Sequence, residues 1–560
     1  NPLSYGFGSL FVNGTNGHDS MLLNRHDTAI VDMKGGNDRL TLYGNGDYQV
    51  DLGAGSDRLY VNTGTATIDA DGGAGSDWFS VDRLGNHKLD GGTGYDHLAF
   101  ASHSSGIKVT MSEKGRGYVT EIDAEPDAPE LEFISMEYIH GTRFDDLFYG
   151  SEFADRIYTF GGDNEVRSEG GDDFVVGAAG KDKAHLGDGN DAFYGKSGSD
   201  LAWGQQGNDR LYGQNGNDRL DGSFGDDYLS GGKGNDFLVA GHGSDKVYGG
   251  AGSDRVYAVM YAQQVSDASN DFFSGGSNGS GDTVETSVDT LIYHFAKGSI
   301  HIDVDAGQAT GYGAGIPVVS VNGPFTSTQN FIDTFTGFER YVGTNYDDTF
   351  RGSSDASIEE YFVGNWGKDV FYASAGDDHF TGGRTQGEYS SFDVVDYGEL
   401  SGSVFANLST GKARVIDADT DQEFSHTFKR IDGLIGGDGR DRLVGNNSDN
   451  RLEGGQGADT LVGSGGADTF AFNGDDGDLS YDTIRDFGRG DDVLELENLH
   501  FVDGVAVTSF DVLDGNNDGI ITSEDTHVFE AQGDLILLFE NSIIALNNVT
   551  SLSADDLVFA

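Results

Sequence analysis

Along the middle of the chain, apolar and polar positions recur with a period of nine. In Asp209-Arg210-Leu211 and Asp218-Arg219-Leu220 one large apolar residue follows a polar pair. The alternation predicts a short strand with leucine inward and arginine in water. Each strand follows a glycine-rich stretch, as in Ser230-Gly231-Gly232-Lys233-Gly234-Asn235-Asp236-Phe237-Leu238. Glycine adopts positive φ freely, so these stretches predict tight turns. Stepping by nine from Asp146 gives Asp155, Asn164, Asp173, Asp182, Asp191, Asp200, Asp209, Asp218, Asp227, Asp236, Asp245 and Asp254. A fixed short period over more than a hundred residues predicts stacked coils.

The beat divides the chain. Residues 1–98 form a first block, with Asp19, Asp38, Asp57, Asp77 and Asp96 spaced by 19 or 20, about one full coil. Between them lie plainer turns, such as Tyr43-Gly44-Asn45-Gly46-Asp47, which predict a coil with metal-type turns along one edge only. The second block, 141–290, holds the strict array from Gly141 to about Val256. A third block, 343–394, holds Asp348, Asp369 and Asp378, and a fourth, 436–495, holds Asp441, Asn450, Asp459 and Asp468. Three stretches break the beat, 99–140, 291–342 and 395–435. Each has period-2 alternation, as in Ile107-Lys108-Val109-Thr110-Met111, Ile300-His301-Ile302-Asp303-Val304 and Val404-Phe405-Ala406-Asn407-Leu408. These read as β-rich insertions, enlarged coils or small sheets bulging from the stack, and as places for specific function. Residues 496–560 read as a C-terminal cap, with Asp534 to Leu546 as a hairpin bending at Glu540-Asn541-Ser542.

Charge changes the picture. The 560 residues carry 94 acidic and 34 basic side chains, a net charge of −60. Self-repulsion and few bulky apolar residues per turn would leave such a chain a disordered polymer unless cations neutralise it. Calcium wants six to eight oxygens at roughly 2.3–2.6 Å, and an aspartate with the carbonyls of a glycine turn supplies that type of donor. One turn cannot surround the ion; two stacked turns can. About thirty divalent ions would cancel the charge, the scale expected if most turns hold one. A halophilic surface would explain acidity but not its register.

The nonapeptides resemble those of the RTX (hemolysin-type calcium-binding repeat) proteins. The resemblance implies an all-β fold, an elongated right-handed parallel β-roll stapled by calcium, two nonapeptides to a coil. It also implies that Asp236 and its equivalents are the side-chain ligands. Asp482-Thr483-Ile484-Arg485-Asp486-Phe487 with Gly490-Asp491-Asp492-Val493-Leu494 is similar to a closing motif of RTX exoproteins, whose aspartates also touch calcium. The end, Asp555-Asp556-Leu557-Val558-Phe559-Ala560, resembles the acidic-then-apolar tail read by type I secretion machinery; an ordinary terminal strand or short helix is the plainer alternative. A second kind of calcium loop runs from Asp514 to Asp525, with Asp514, Asn516, Asp518 and Asp525 at EF-hand positions 1, 3, 5 and 12. Aspartate at the last position shortens the bidentate arm and should weaken the site.

Catalytic constellations are sparse. No H-E-x-x-H occurs. Gly275-Gly276-Ser277-Asn278-Gly279 fits G-x-S-x-G, without the strand and helix an esterase elbow needs. His294, His301 and Tyr293 share one insertion and are the candidates for acid–base chemistry on a polysaccharide. Acidity disfavours nucleic acid as a partner. There are no cysteines, and no apolar run reaches membrane-span length. No basic leader precedes Arg25 and the chain opens at Asn1, which predicts a processed or truncated product. The expectation is a secreted or cell-surface protein of bacterial type. Its expected partners are calcium, the type I secretion machinery through the C-terminus, and an extracellular polysaccharide or cell surface. Its expected role is that of a cell-surface, matrix, adhesion or S-layer-type component. The alternative is an extracellular polysaccharide lyase or epimerase, with its site on a roll face or insertion.

Overall fold

The computed structural model describes residues 10–25, 28–63, 65–122, 131–258, 271–276, 288–293, 298–312, 329–383, 391–418, 420–474, 480–488, 491–501 and 504–559. The chain forms two compact units, residues 1–258 with 269–289, and residues 259–268 with 290–560.

In the first unit the D-x-U segments of the beat become strands on a β-roll, and successive strands fall alternately on two parallel sheets. Ala192–Ser197, Arg210–Asn215, Tyr228–Lys233 and Lys246–Ala251 pair in parallel, register advancing by 18. Leu201–Gln206, Arg219–Phe224 and Phe237–His242 do the same opposite. Leu211, Leu220, Leu229 and Leu238 are fully buried between the sheets. Eighteen residues per coil place side chains of like position one above another, so rings stack along the outer face. Tyr194 and Tyr212, for example, lie 4.8 Å apart at 8°. Such cross-strand pairs contribute about 0.2–1 kcal/mol each. Ser20–Arg25 to His97–Ala99 build the first block with a coil of 19 or 20 residues.

The three breaks share one architecture. Rather than bulging from the stack, each places a three-stranded antiparallel meander inside a sheet, where the other sheet adds a single strand. Strand Ile107–Glu113 turns back as Arg116–Glu121 and again as Leu131–Ile134. The meander joins the stack in parallel at both ends, to Leu147–Tyr149 and to His87–Asp90. On the opposite sheet His97–Ala99 pairs directly with Tyr138–His140. In the second unit Ser403–Asn407, Lys412–Ile416 and Glu423–Lys429 repeat this between His379–Thr381 and Arg442–Val444. Ile300–Asp303, Gln308–Tyr312 and Gln329–Thr336 form the remaining meander. A glycine with φ near 60–67° (Gly115, Gly307, Gly411) closes the first turn of each. Alternation then buries Val109, Val119 and Phe133 while Arg116 pairs with Glu132 outside.

The C-terminal segment closes the second unit. Asp534–Leu538 and Ser542–Leu546 form the expected hairpin, with Phe539 N–H bonded to Ser542 O at 2.8 Å. Ser542–Leu546 continues one sheet from Ser480–Ile484, and Leu557–Phe559 continues the other from Val493–Glu497.

Candidate metal centres

The aspartates of the beat form continuous ladders. The N–H of each donates to Oδ1 of the aspartate one coil later: Asp182 to Asp200, Asp200 to Asp218 and Asp218 to Asp236, each at 2.8 Å. A second ladder runs Asp155, Asp173, Asp191, Asp209, Asp227, Asp245 at 2.7–2.8 Å. In the first block Asp19, Asp38, Asp57, Asp77 and Asp96 make a third.

The other oxygen behaves differently. Oδ2 of Asp38, Asp57, Asp77, Asp96, Asp173, Asp191, Asp200, Asp209, Asp218, Asp227, Asp236, Asp245, Asp369 and Asp459 is buried with no hydrogen-bond donor. In Asp77, Asp96, Asp200, Asp209, Asp218, Asp227, Asp236, Asp369 and Asp459 it lies over the glycine five residues earlier. A methyl on Gly195 would sit 2.3 Å from Asp200 Oδ2 and 2.9 Å from the carbonyl oxygen of Gly213; at Gly222 the distances are 2.3 Å to Asp227 Oδ2 and 2.5 Å to the Ala240 carbonyl. At Gly195 and Gly222 carboxylate and carbonyl oxygens from successive turns fill the space a side chain would enter. Oxygens gathered without donors repel one another. Burial, with neighbouring carboxylates adding to it, pushes Asp209 up to about 8 and Asp245 up to about 9; for Asp200, Asp227 and Asp236 the value is about 7.

An oxygen-only set with one anionic group per turn fits a hard cation such as calcium, and a bound cation would reverse these shifts. Among the described residues no three His, Cys, Asp or Glu side chains converge to hold a metal. The donors would therefore be one carboxylate per turn plus main-chain carbonyls. Calcium there would supply the positive charge that joins consecutive coils.

Other predicted positions have their oxygens satisfied. Thr15, Thr142, Ser151 and Thr344 cap Asp19, Asp146, Asp155 and Asp348 through both N–H and hydroxyl. The Ser374 hydroxyl reaches Asp378 Oδ2 at 2.9 Å, and N–H groups of Ala178 and Gly437 reach Asp182 and Asp441. Asn164, the exception to the beat, directs its amide into the oxygens: Nδ2 donates to Gly161 O, Gly162 O and Asp182 Oδ1 at 3.2, 3.1 and 2.6 Å. Asp254, Asp468, Asp482 and Asp492 continue the ladders. Asp486 accepts from the N–H groups of Gly463 and Ser464, and Asp491 is exposed. In the EF-hand-like loop Asp514 accepts from Asp518 and Gly519, Asn516 and Asp518 accept from Asp518 and Ile520, and Asp525 accepts from Asn516 and Thr522. Only the four-residue helix Phe510–Leu513 precedes it.

Several ladder members fall off the beat. Asp271 and Asp289 accept from Asp245 and Asp254, Glu137 from Asp96, Asp393 from Asp369, and Asp432 from Asp393. Glu360 donates its N–H to Asp378, its longer arm serving an eight-residue turn. Their signal is an acid two residues before a buried apolar side chain, as in Asp393-Val394-Val395 and Glu360-Tyr361-Phe362. A second row lies one residue before the aspartates. Asn190 Oδ1 accepts from Asn208 N–H, and Asn208 Oδ1 from Asp226 N–H, opposite in direction to the aspartate ladder. The recurring Asn-Asp and Asp-Asp pairs carry that signal.

The catalytic candidates have structural partners. Tyr293 is fully buried and its hydroxyl donates to Asp333 Oδ2 at 2.8 Å. Tyr397, at the matching place beside the third meander, meets His426 Nδ1 at 3.2 Å. His301 contacts the Thr349 hydroxyl at 2.6 Å, and burial lowers its pKa. His294 lies outside the described residues.

The family model for the RTX calcium-binding nonapeptide repeat matches residues 140–175, 168–202, 194–229, 203–238, 221–256, 363–384 and 435–470. Among solved structures, the chain is similar to the extracellular lipase LipA from Serratia marcescens, at 16% identity and a TM-score of 0.13, over 62% of this chain. It spans 40% of the lipase chain. No curated protein matches. No helix among the described residues is long and apolar enough to cross a membrane, which leaves β-barrel spans unaddressed.

Proposed function

The chain carries RTX calcium-binding nonapeptide repeats, and from that premise we propose that it is a secreted protein whose calcium-loaded roll is itself the product. It serves as a cell-surface, matrix, adhesion or S-layer-type component. The observation that carries this is the row of buried, donor-free aspartate oxygens from Asp191 to Asp245. Those oxygens make order conditional on a cation, and a charge of −60 keeps the cation-free chain extended. Where calcium is scarce the chain stays export-competent. At millimolar extracellular calcium even weak sites fill, and order spreads by nearest-neighbour stacking. The C-terminal tail addresses the chain to type I secretion machinery, and the Asp514–Asp525 loop adds a separate calcium site.

The test has two arms. Calcium-loaded protein, viewed by electron microscopy with and without cell-wall glycan, should assemble into sheets or filaments or bind the surface. The same preparation is incubated with a panel of acidic polysaccharides. Chain shortening or new unsaturated ends that require His301 would replace the structural role with the lyase or epimerase alternative.

A further inference from the structure

The turns differ in whether they need a cation at all. In turns around Asp200, Asp209 and Asp218 the fourth residue before the aspartate is left-handed: Lys196, Gln205 and Gln214 have φ of 76°, 80° and 79°. That residue pairs with its equivalent one coil on, as Lys196 does with Gln214. Its N–H is directed away from the carboxylate, and Oδ2 is left without a donor. A left-handed non-glycine residue costs free energy, so these turns pay twice before a cation arrives.

At Thr142, Ser151 and Thr344 the same position lacks positive φ. Its N–H instead points into the turn and bonds the carboxylate at 2.6–2.7 Å. The hydroxyl adds a second bond to the carboxylate and accepts one from the residue two further on, at 3.0 Å from Phe144 and from Tyr346. Each carboxylate is thus held by several donors, and the positive ends of those dipoles occupy the side a cation would approach. Hydrogen bonds to a charged acceptor are the strong kind.

Position in the chain follows the same division. The first two turns after each meander are capped by N–H groups, one in each ladder: Asp146 and Asp155, Asp348 and Glu360, Asp441 and Asn450. Donor-free oxygens follow further along the first unit, at Asp173 and then without a break from Asp191 to Asp245, and they also lie in the block before its meander, at Asp38, Asp57, Asp77 and Asp96.

We propose that the N–H-capped turns after the meanders are cation-independent, so that each meander with its following coil is a preformed end on which calcium-dependent coils stack. The backbone angle of the residue four before the aspartate sets the class: outside the left-handed region, as at Thr142, Ser151 and Thr344, it closes the turn, while a left-handed residue, Ser223 (φ 75°) as much as Gln214, opens it to a divalent cation. This rests on the calcium reading of the donor-free turns.

Hydrogen exchange by mass spectrometry on the full chain, in millimolar calcium and in excess chelator, tests it. The expected result is that chelation removes protection from 187–254 at least tenfold more than from 138–151 and 341–350. Thr344→Val should then expose 341–350 in chelator, Thr344→Ser should not, and neither should alter protection of 187–254 in calcium. Equal loss in chelator of both turn classes, with calcium restoring both, would overturn the division and leave the calcium reading standing. No change anywhere on chelation would overturn the calcium reading and the division with it.

Discussion

Removing calcium should make order in the first unit depend on acid. The buried carboxylates of Asp200, Asp227 and Asp236 are pushed from an ordinary 3.8 to about 7, and those of Asp209 and Asp245 to about 8 and 9. Burial is the main cause in each. Between 3.8 and the raised value, the folded chain holds a proton that the unfolded chain has released. Metal-free stability is therefore fullest below 3.8 and declines as pH rises toward 7–9. One unit is worth about 1.4 kcal/mol, so at pH 7 each such group costs up to about 4 kcal/mol. Five of them outweigh the about 5–15 kcal/mol that holds a typical domain together. In chelator, the far-UV circular dichroism signal for strands should be weak at pH 7.5 and return near pH 4. With calcium the direction reverses, because protons then compete with the cation for the same oxygens. General repulsion predicts the same direction in chelator, so salt separates the causes. At 1 M the Debye length is about 3 Å, which screens surface charge but not buried oxygens. Equal order at pH 4 and 7.5 in chelator, or full recovery by salt alone at pH 7.5, would refute the reasoning.

Four substitutions extend the same logic. Gly216 has φ +138° and its added methyl would lie 1.3 Å from the Gly198 carbonyl oxygen, so Gly216→Ala should cost well over 1 kcal/mol and raise the calcium midpoint for folding. Asp227→Ala removes the acceptor of the Asp209 N–H along with a donor-free oxygen and should weaken neighbouring sites in a calcium titration, whereas Lys233→Ala, at an exposed position, should change stability by less than about 0.5 kcal/mol; identical titrations would refute the ligand assignment. Asp514→Asn should reduce terbium luminescence from the C-terminal loop while leaving the roll's calcium-induced circular dichroism unchanged.

Much of the fold was legible because one constraint repeats. A D-x-U segment every nine residues sets strand, inward face and turn together, so Asp209 through Leu238 could be placed from the sequence. The meanders were legible as alternating strands, but not as members of the roll's own sheets. Parallel pairing of Ile107–Glu113 with Leu147–Tyr149 across the intervening chain has no local signature. The metal turns look uniform in sequence. Asp146 and Asp200 share a frame, yet Thr142 satisfies one carboxylate and Lys196 leaves the other bare. That difference lies in backbone angle and donor direction, which residue spacing does not encode. Conversely Asp271, Asp289 and Glu360 were missed because they lack the glycine frame, though each keeps the acid-x-apolar core that the ladder needs. Tyr293 drew attention as chemistry beside histidines. Its burial against Asp333 depends on a partner forty residues away, which no local pattern reveals.

Cation positions along the aspartate ladders are the most direct measurement. Crystals grown in millimolar calcium, measured for anomalous scattering, should show peaks beside Oδ2 of Asp191, Asp200, Asp209, Asp218, Asp227 and Asp236, and none at the Thr142–Asp146 turn. Ordered density for that stretch with no anomalous peaks along it would contradict the claim that cations join these coils.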